Sequence, residues 1–73
     1  MRIAYDPTVD ALSIIFKETT VTTKHVAEGI AIDYDENGLV AGIEVLDVIE
    51  RFGDPSTLGQ VTFEGVGTMA RAA

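Results

Sequence analysis

The sequence contains no cysteine, and only five of its 73 residues are lysine or arginine. Without cysteine the chain can form no disulfide and offers no thiolate to a metal, which fits a reducing cytoplasm. A chain this short buries only roughly 60% of its unfolded surface, so small domains depend on disulfides, a metal or self-association. With disulfides excluded, we expect a cytoplasmic protein that forms a homodimer.

Positive charge is scarce and scattered. Twelve acidic residues against five cations give a formal net charge of −7. The cations are Arg2, Lys17, Lys24, Arg51 and Arg71, and no two of them are adjacent. Proteins that bind nucleic acids carry a stripe of positive charge that replaces the counterions of the phosphates, and anionic membranes repel an acidic protein. We therefore expect no nucleic-acid or membrane partner, whereas a basic protein or a cation is electrostatically permitted.

Long hydrophobic runs are also absent. No stretch approaches the roughly 18 apolar residues that indicate a membrane span. Residues 1–16 do not resemble a signal peptide, because Asp6 and Asp10 interrupt them. The apolar content of 47% is nevertheless high enough for a packed core, which argues against general disorder.

The pattern along the first two thirds of the chain predicts β-strands. Apolar and polar residues alternate with a period of two, which is typical of half-buried strands. The predicted strands cover residues 2–5, 11–16, 21–28, 30–34 and 39–45. The third is rich in Val and Thr and weakly amphipathic, so we expect it at an edge of the sheet.

A hairpin is predicted at Asp35-Glu36-Asn37-Gly38. Asn-Gly is the strongest short-range hairpin signal, because both residues tolerate a positive φ. Apolar and polar residues alternate in the same register along the two strands that flank the turn, so the apolar residues of both strands share one face.

Residues after the last alternating segment predict one short helix, near residues 47–52. Asp47 and Glu50 have the spacing of a capping box. The predicted fold class is α+β, mostly antiparallel β: a small β-meander or hairpin sheet of four to six strands with this helix. We assign residues 1–53 to a β-rich core domain. Residues 54–73 form a C-terminal extension, with a last strand at 61–64 and a frayed tail.

One motif matches a calcium-binding loop. Asp33, Asp35 and Asn37, followed by Gly38 and Glu44, fit the EF-hand pattern of oxygen ligands, a turn glycine and a bidentate glutamate. An EF-hand needs a helix on each side, and here both flanks have strand sequence. We therefore favour a β-turn. A divalent-cation module using Asp33, Asp35, Asn37 and Glu44 is kept as the alternative.

The acidic residues and the single histidine are further candidates for chemistry. Asp6, Asp10, Asp33 and Glu44 could form a carboxylate cluster, and a hydrolase using Asp10, Asp33 and Glu44 is a third, weaker reading. Turn and cap residues on a solvated acidic face are the simpler interpretation. The single imidazole, His25, is interpreted as a half-exposed surface residue. We predict no catalytic residues, no cofactor and no enzyme activity.

Several short segments together resemble a known family of small prokaryotic proteins, domain-of-unknown-function family 2283. These are Tyr5-Asp6-Pro7, Asp10-Ala11-Leu12, Gly29-Ile30-Ala31-Ile32-Asp33-Tyr34-Asp35, Asn37-Gly38 and Gly42-Ile43-Glu44-Val45-Leu46, in the family's order and spacing. The resemblance covers residues 1 to about 48. It marks Tyr5, Asp6, Asp10, Asp33, Gly38, Gly42 and Glu44 as structural motif residues. Ser13 stands where the family usually has Tyr.

The resemblance implies a compact β-rich module with no assigned reaction. Some members are similar to the antitoxin half of paired genes, and an acidic protein is complementary to a basic toxin. The leading hypothesis is an uncharacterised, non-enzymatic, homodimeric interaction protein that neutralises a basic partner.

Overall fold

The computed structural model describes residues 1–53 and 55–65 of the chain. The strands are β1 (Arg2–Asp6), β2 (Ala11–Ile15), β3 (Thr22–Ala27), β4 (Ile30–Tyr34) and β5 (Val40–Leu46). A short helix α1 (Val48–Phe52) and a 3₁₀ helix (Pro55–Gly59) follow. Neighbouring strands are antiparallel, in the order β1-β2-β5-β4-β3. The predicted α+β class, mostly antiparallel β with one short helix, is confirmed, and β3 lies at an edge as expected. Within the described residues, no helix has the length and apolar content needed to cross a membrane.

The register of the sheet sorts the side chains onto two faces of different character. Ile14 lies opposite Ile43, and Ile43 lies opposite Ile32. Directly opposed residues of antiparallel strands project to the same face, and successive residues project to opposite faces. The face that we call the apolar face carries Ile3, Tyr5, Leu12, Ile14, Phe16, Ile30, Ile32, Tyr34, Ile43 and Val45. The opposite face, which we call the polar face, carries the polar residues Arg2, Ser13, Thr23, His25, Asp33 and Glu44 together with the apolar residues Ala11, Ile15, Ala31 and Leu46.

The buried core is small. Among the described residues, the buried apolar ones are Leu12, Ala31, Ala41 and Val48, and of these only Val48 is both large and fully enclosed. Most side chains of the apolar face are half-buried, because their neighbours within the sheet shield them from the sides. One chain therefore leaves much of its apolar surface in contact with water, as its length predicts.

The hairpin between β4 and β5 lies where the sequence predicts it, with a different turn geometry. The Gly38 N–H donates to the Asp35 carbonyl at 3.0 Å, and the Asp35 N–H donates to the Leu39 carbonyl at 2.8 Å. Gly38 has a φ of 80°, whereas Asn37 is not among the residues with positive φ. The loop is thus a three-residue connection with one left-handed glycine, rather than a two-residue Asn-Gly turn.

The helix α1 begins at the predicted place, but the predicted capping box is wrong. Asp47 precedes α1 with a φ of 55°, and its side chain makes no capping hydrogen bond. The acceptor is Asp10, whose carboxylate oxygens lie 3.1 and 3.2 Å from the Ile49 N–H. The cap comes from the β1–β2 turn, because that turn and α1 meet at the same end of the sheet.

The C-terminal extension differs from the prediction. Residues 60–64 have no regular secondary structure, so the strand predicted at 61–64 is wrong. Val61 and Phe63 line a cavity beside Ile3 and Leu12 instead of pairing with a strand edge. Both side chains remain more than half exposed. The predicted frayed tail lies almost wholly outside the described residues.

Candidate functional site

The centre of the polar face brings together most of the polar side chains of the sheet. Glu44 of β5 lies between Ser13 of β2 and Ala31 of β4, and His25 of β3 lies opposite Ala31. These four residues form one row across four strands. Ala31 is small, which leaves the space between Glu44 and His25 open above the sheet.

Asp33 and Glu44 form a carboxyl pair on adjacent strands. Glu44 lies diagonally across from Asp33, because Asp33 pairs with Gly42. A hydrogen bond between the two carboxyl groups raises the pKa of Glu44; partial burial and the Asp33 charge act in the same direction, and His25 opposes them. Like charges this close disfavour double ionisation, which favours the protonated form of Glu44.

Two neighbours fix the position of Asp33. The Thr23 hydroxyl donates a hydrogen bond to one of its carboxylate oxygens. On the other side is Gly42, where an added Cβ would lie 3.3 Å from the second oxygen and 3.0 Å from the Ile14 carbonyl. Because Gly42 has no side chain, the Asp33 carboxylate has room beside it on the face of the sheet.

The structure separates the four predicted metal ligands into two groups. Asp35 is 6% exposed and serves the hairpin: one oxygen accepts from the Asn37 and Leu39 N–H groups, each at 2.9 Å. Its other oxygen lies 2.6 Å from the Lys17 ammonium. The hydrogen bond from Lys17, followed by those from the backbone, lowers the pKa of Asp35. Only Asp33 and Glu44 remain together on the polar face.

This arrangement differs from a calcium-binding loop in two ways. The segments that flank the motif are the strands β4 and β5, where an EF-hand has helices. Calcium takes six to eight oxygen ligands, and among residues 1–53 and 55–65 no group of three or more potential metal-ligating side chains lies together. In the described part of the chain, the calcium-loop pattern is therefore a β-hairpin.

The other two candidate acids have structural partners. Asp6 accepts hydrogen bonds from the Thr8 hydroxyl at 2.6 Å and from the Thr8 N–H at 2.9 Å, and these lower its pKa. Asp10 accepts from the Tyr5 hydroxyl at 2.7 Å as well as from Ile49, and the bond to Asp10 raises the pKa of the Tyr5 phenol. Asp10 thus connects β1 to α1 and is not part of the Asp33–Glu44 pair. The three acids of the hydrolase interpretation, Asp10, Asp33 and Glu44, therefore do not form one site.

A second acidic feature was missed by sequence reasoning. Glu28, Asp47 and Glu50 line a shallow recess together with Arg51, at the end of the sheet where β3 turns into β4. The Arg51 guanidinium donates to the Leu46 carbonyl at 2.8 Å and to the Glu28 carbonyl. No local pattern could predict this recess, because its acids come from a hairpin turn and from α1.

Comparisons with known proteins give a family and no function. The family model described as protein of unknown function (DUF2283) matches residues 2–48. No curated protein matches the chain, and no solved structure matches it. The matched segment contains all five strands and the Asp33–Glu44 pair, but it ends at the start of α1.

Proposed function

This chain belongs to the DUF2283 family of proteins of unknown function, and we propose that it is a non-enzymatic, homodimeric interaction protein that neutralises a basic partner protein in the manner of an antitoxin. The observation that carries the proposal is the contrast between the two faces of its single sheet. One face is apolar and open, which favours self-association. The other face carries Asp33 and Glu44, and one end of the sheet carries Glu28, Asp47 and Glu50; these acids favour a basic partner.

The arrangement of the polar side chains supports a binding role rather than catalysis. Asp6, Asp10 and Asp35 are each held by hydrogen bonds within turns or caps. The carboxyl pair lies on an open sheet face, where water has access to it. Nucleophilic or acid–base catalysis uses groups aligned in a site that excludes water, and a half-buried pair on the face of a single sheet lacks this feature.

The charge distribution supports a basic partner. Of the cations, Arg2 pairs with Glu18, Lys17 pairs with Asp35, and Arg51 is bound to backbone carbonyls. Three of the four cations in the described part of the chain are thereby engaged within the protein, and Lys24 is the fourth. The recess lined by Glu28, Asp47, Glu50 and Arg51 carries three acidic residues and one arginine, and this excess of negative charge complements lysine or arginine side chains of a partner.

The proposal is tested by isolating the partner and then removing the charges. The tagged chain is purified from its native cell, any co-purified protein is identified, and the complex is reconstituted from the two pure proteins. We expect a basic protein whose affinity falls with rising salt, because screening weakens exposed charge pairs. If the partner is a toxin, the chain also abolishes its activity at stoichiometric concentration.

The variant Glu28→Gln/Asp47→Asn/Glu50→Gln removes the negative charge of the recess and conserves its shape. We expect it to bind the basic partner about tenfold or more weakly, with the loss mainly in the association rate. The control Glu18→Gln removes one exposed charge at the opposite end of the strands and should bind as the unaltered chain does. A partner that is not basic, or an affinity indifferent to salt and to the triple substitution, contradicts the proposal.

A further inference from the structure

The tip of the β4–β5 hairpin carries the one asparagine of the chain, Asn37, and a glycine follows it. An asparagine side chain loses ammonia most readily before glycine, because a glycine has no side chain to shield its backbone nitrogen from the neighbouring amide. Asn37 and Gly38 are both exposed, and a Cβ at Gly38 would meet no atom within 4 Å. The surroundings of this peptide bond therefore leave room for the reaction and for the water that completes it.

The reaction joins the Gly38 nitrogen to the side-chain carbonyl carbon of Asn37. The bond between that carbon and the side-chain nitrogen breaks, and this nitrogen leaves as ammonia together with the proton that the Gly38 N–H gives up. The product is a five-membered cyclic imide. Water then opens the imide at either of its two carbonyl carbons, which yields aspartate or isoaspartate at position 37.

The closed hairpin opposes the first step of this reaction in two ways. The Gly38 N–H donates to the Asp35 carbonyl at 3.0 Å, which keeps the attacking nitrogen in its protonated form. The same bond spans Glu36 and Asn37, neither of which has a positive φ, so it defines a type I turn. The second central residue of such a turn has a ψ of about 0°, whereas ring closure brings the Gly38 nitrogen into line with the Asn37 Cβ, a rotation of roughly 120° about the same bond. The turn must therefore open before the ring can form.

Asp35 holds this loop closed with its side chain as well as with its carbonyl. One carboxylate oxygen accepts from the Asn37 and Leu39 N–H groups, each at 2.9 Å. The other oxygen is bound by the Lys17 ammonium. Three consecutive N–H groups, those of residues 37 to 39, thus donate to one residue. Opening the loop breaks these bonds, and bonds to an ionised acceptor are among the stronger ones in proteins.

We infer that Asn37 is a site of spontaneous deamidation and that Asp35 controls its rate by holding the loop closed. Each event adds one negative charge to a chain whose formal net charge is −7. The isoaspartate product also places a methylene group in the backbone between the N–H groups of residues 37 and 38. The N–H groups of residues 37 and 39 then lose the spacing that lets them share one carboxylate oxygen. The reaction therefore weakens the loop that restrains it.

The test follows the conversion of Asn37 in the pure chain, folded in mildly alkaline buffer and unfolded by urea in the same buffer. Peptide mass mapping locates the change, and a methyltransferase specific for isoaspartate labels that product. We expect conversion in both states, about tenfold or more slower in the folded chain, because the loop must open locally. Conversion that is equally fast in both states, or that is absent in urea, overturns the inference.

Amide hydrogen exchange measures the opening of the loop in the unaltered chain, so it does not depend on a variant that folds. The exchange of the Gly38 amide gives the fraction of molecules in which the loop is open. The ratio of the folded to the unfolded conversion rate should match this fraction, and the Asn37 and Leu39 amides should be protected together with Gly38. Conversion much faster than the open fraction allows, or amides of Asn37 and Leu39 that exchange freely, contradicts the control by Asp35.

The variant Asp35→Ala removes the two side-chain bonds and leaves the Asn37–Gly38 sequence intact. We expect its folded form to convert Asn37 about tenfold faster than the unaltered chain does. Asp10→Ala is the matched control, because it loses hydrogen bonds at the opposite end of the strands and should convert Asn37 at the unaltered rate. Equal rates in the two variants overturn the role of Asp35. If circular dichroism shows that Asp35→Ala does not fold, the exchange measurement on the unaltered chain decides.

Discussion

The carboxylate of Asp10 accepts hydrogen bonds from the backbone N–H of Ile49, a residue 39 positions later in the chain. The same carboxylate accepts from the Tyr5 hydroxyl. The Asp10 carbonyl also accepts from the Val48 N–H at 3.3 Å. One turn residue therefore connects β1 to α1 and supplies the cap that α1 lacks locally.

Replacing Asp10 should destabilise the fold measurably. Asp10→Ala removes the cap, which costs about 1 kcal/mol, and places alanine at a φ of 52°, which costs about 1 kcal/mol more. We expect a loss of about 2 kcal/mol in the free energy of unfolding, measured by urea denaturation. Asp10→Asn keeps an acceptor and tolerates the left-handed backbone, so it should lose less.

The control for this prediction is Asp47→Asn. Asp47 occupies the position before α1, but its side chain makes no capping bond. We expect a change within about 0.5 kcal/mol, as for an ordinary surface substitution. Equal losses for Asp10→Ala and Asp47→Asn would contradict the assignment of the cap to Asp10.

The sequence predicted the features of the fold that depend on neighbouring residues. The alternation over β4 and β5 predicted which face of the sheet carries Ile32, Asp33 and Glu44, because successive side chains of a strand point to opposite faces. The position of the hairpin followed from Gly38. Once both strands are assigned to one hairpin, the sequence also predicts that Asp33 and Glu44 lie on paired antiparallel strands.

The features that the sequence did not predict depend on contacts between distant segments. Asp47 and Glu50 have the spacing of a capping box, yet the side chain that caps α1 is that of Asp10. The β1–β2 turn places the Asp10 carboxylate next to the Ile49 N–H. Val61 and Phe63 alternate like a strand, but they line a cavity beside Ile3 and Leu12 instead. No local pattern distinguishes these outcomes, because each depends on which surface a segment meets.

Substitution of Gly42 should disturb the carboxyl pair. In Gly42→Ala the new Cβ would lie 3.0 Å from the Ile14 carbonyl and 3.3 Å from the Asp33 carboxylate, so one of them must move. Overpacking of this kind costs about 1 to 3 kcal/mol of stability. Urea denaturation measures the loss, and carboxyl ¹³C shifts report any change in the titration of Glu44.

Gly59→Ala is the matched control for that experiment. A Cβ at Gly59 meets no atom within 4 Å, and its φ is not positive. We therefore expect a change of less than about 0.5 kcal/mol. If Gly42→Ala were equally neutral and left the Glu44 titration unchanged, the glycine would not be what positions Asp33.

The carboxyl pair should make stability fall as the pH rises through the titration of Glu44. The pKa of Glu44 is raised in the folded protein, chiefly by its hydrogen bond with Asp33, relative to 4.5 in an unfolded chain. Between these two values the folded state binds more protons, so each increment of pH removes stability. Denaturation across this window should show the decline in the unaltered chain and its absence in Glu44→Gln; a decline that persists in Glu44→Gln has another source.

Asp35 should show the opposite dependence. The hydrogen bond from Lys17 lowers its pKa below 3.8, so the stability it contributes is fully present above that value and is lost as the pH falls through the folded pKa. Asp35→Asn should therefore be less stable than the unaltered chain at pH 7, and the difference should shrink in acid. Lys17→Met, which keeps the backbone bonds to Asp35, should lose less; a loss equal to that of Asp35→Asn would show that the ion pair alone matters.

The hairpin geometry also predicts the response to calcium. Asp35 is held by Lys17 and by two backbone N–H groups. Of the carboxylates in the motif, Asp33 and Glu44 remain, and they lie on the polar face of β4 and β5. A calcium ion needs six to eight oxygen ligands, which two carboxylates cannot provide. Calorimetry with calcium or magnesium at millimolar concentration should detect no binding heat. Saturable heat that Asp33→Ala abolishes and Asp35→Asn does not would instead assign a cation to the polar face.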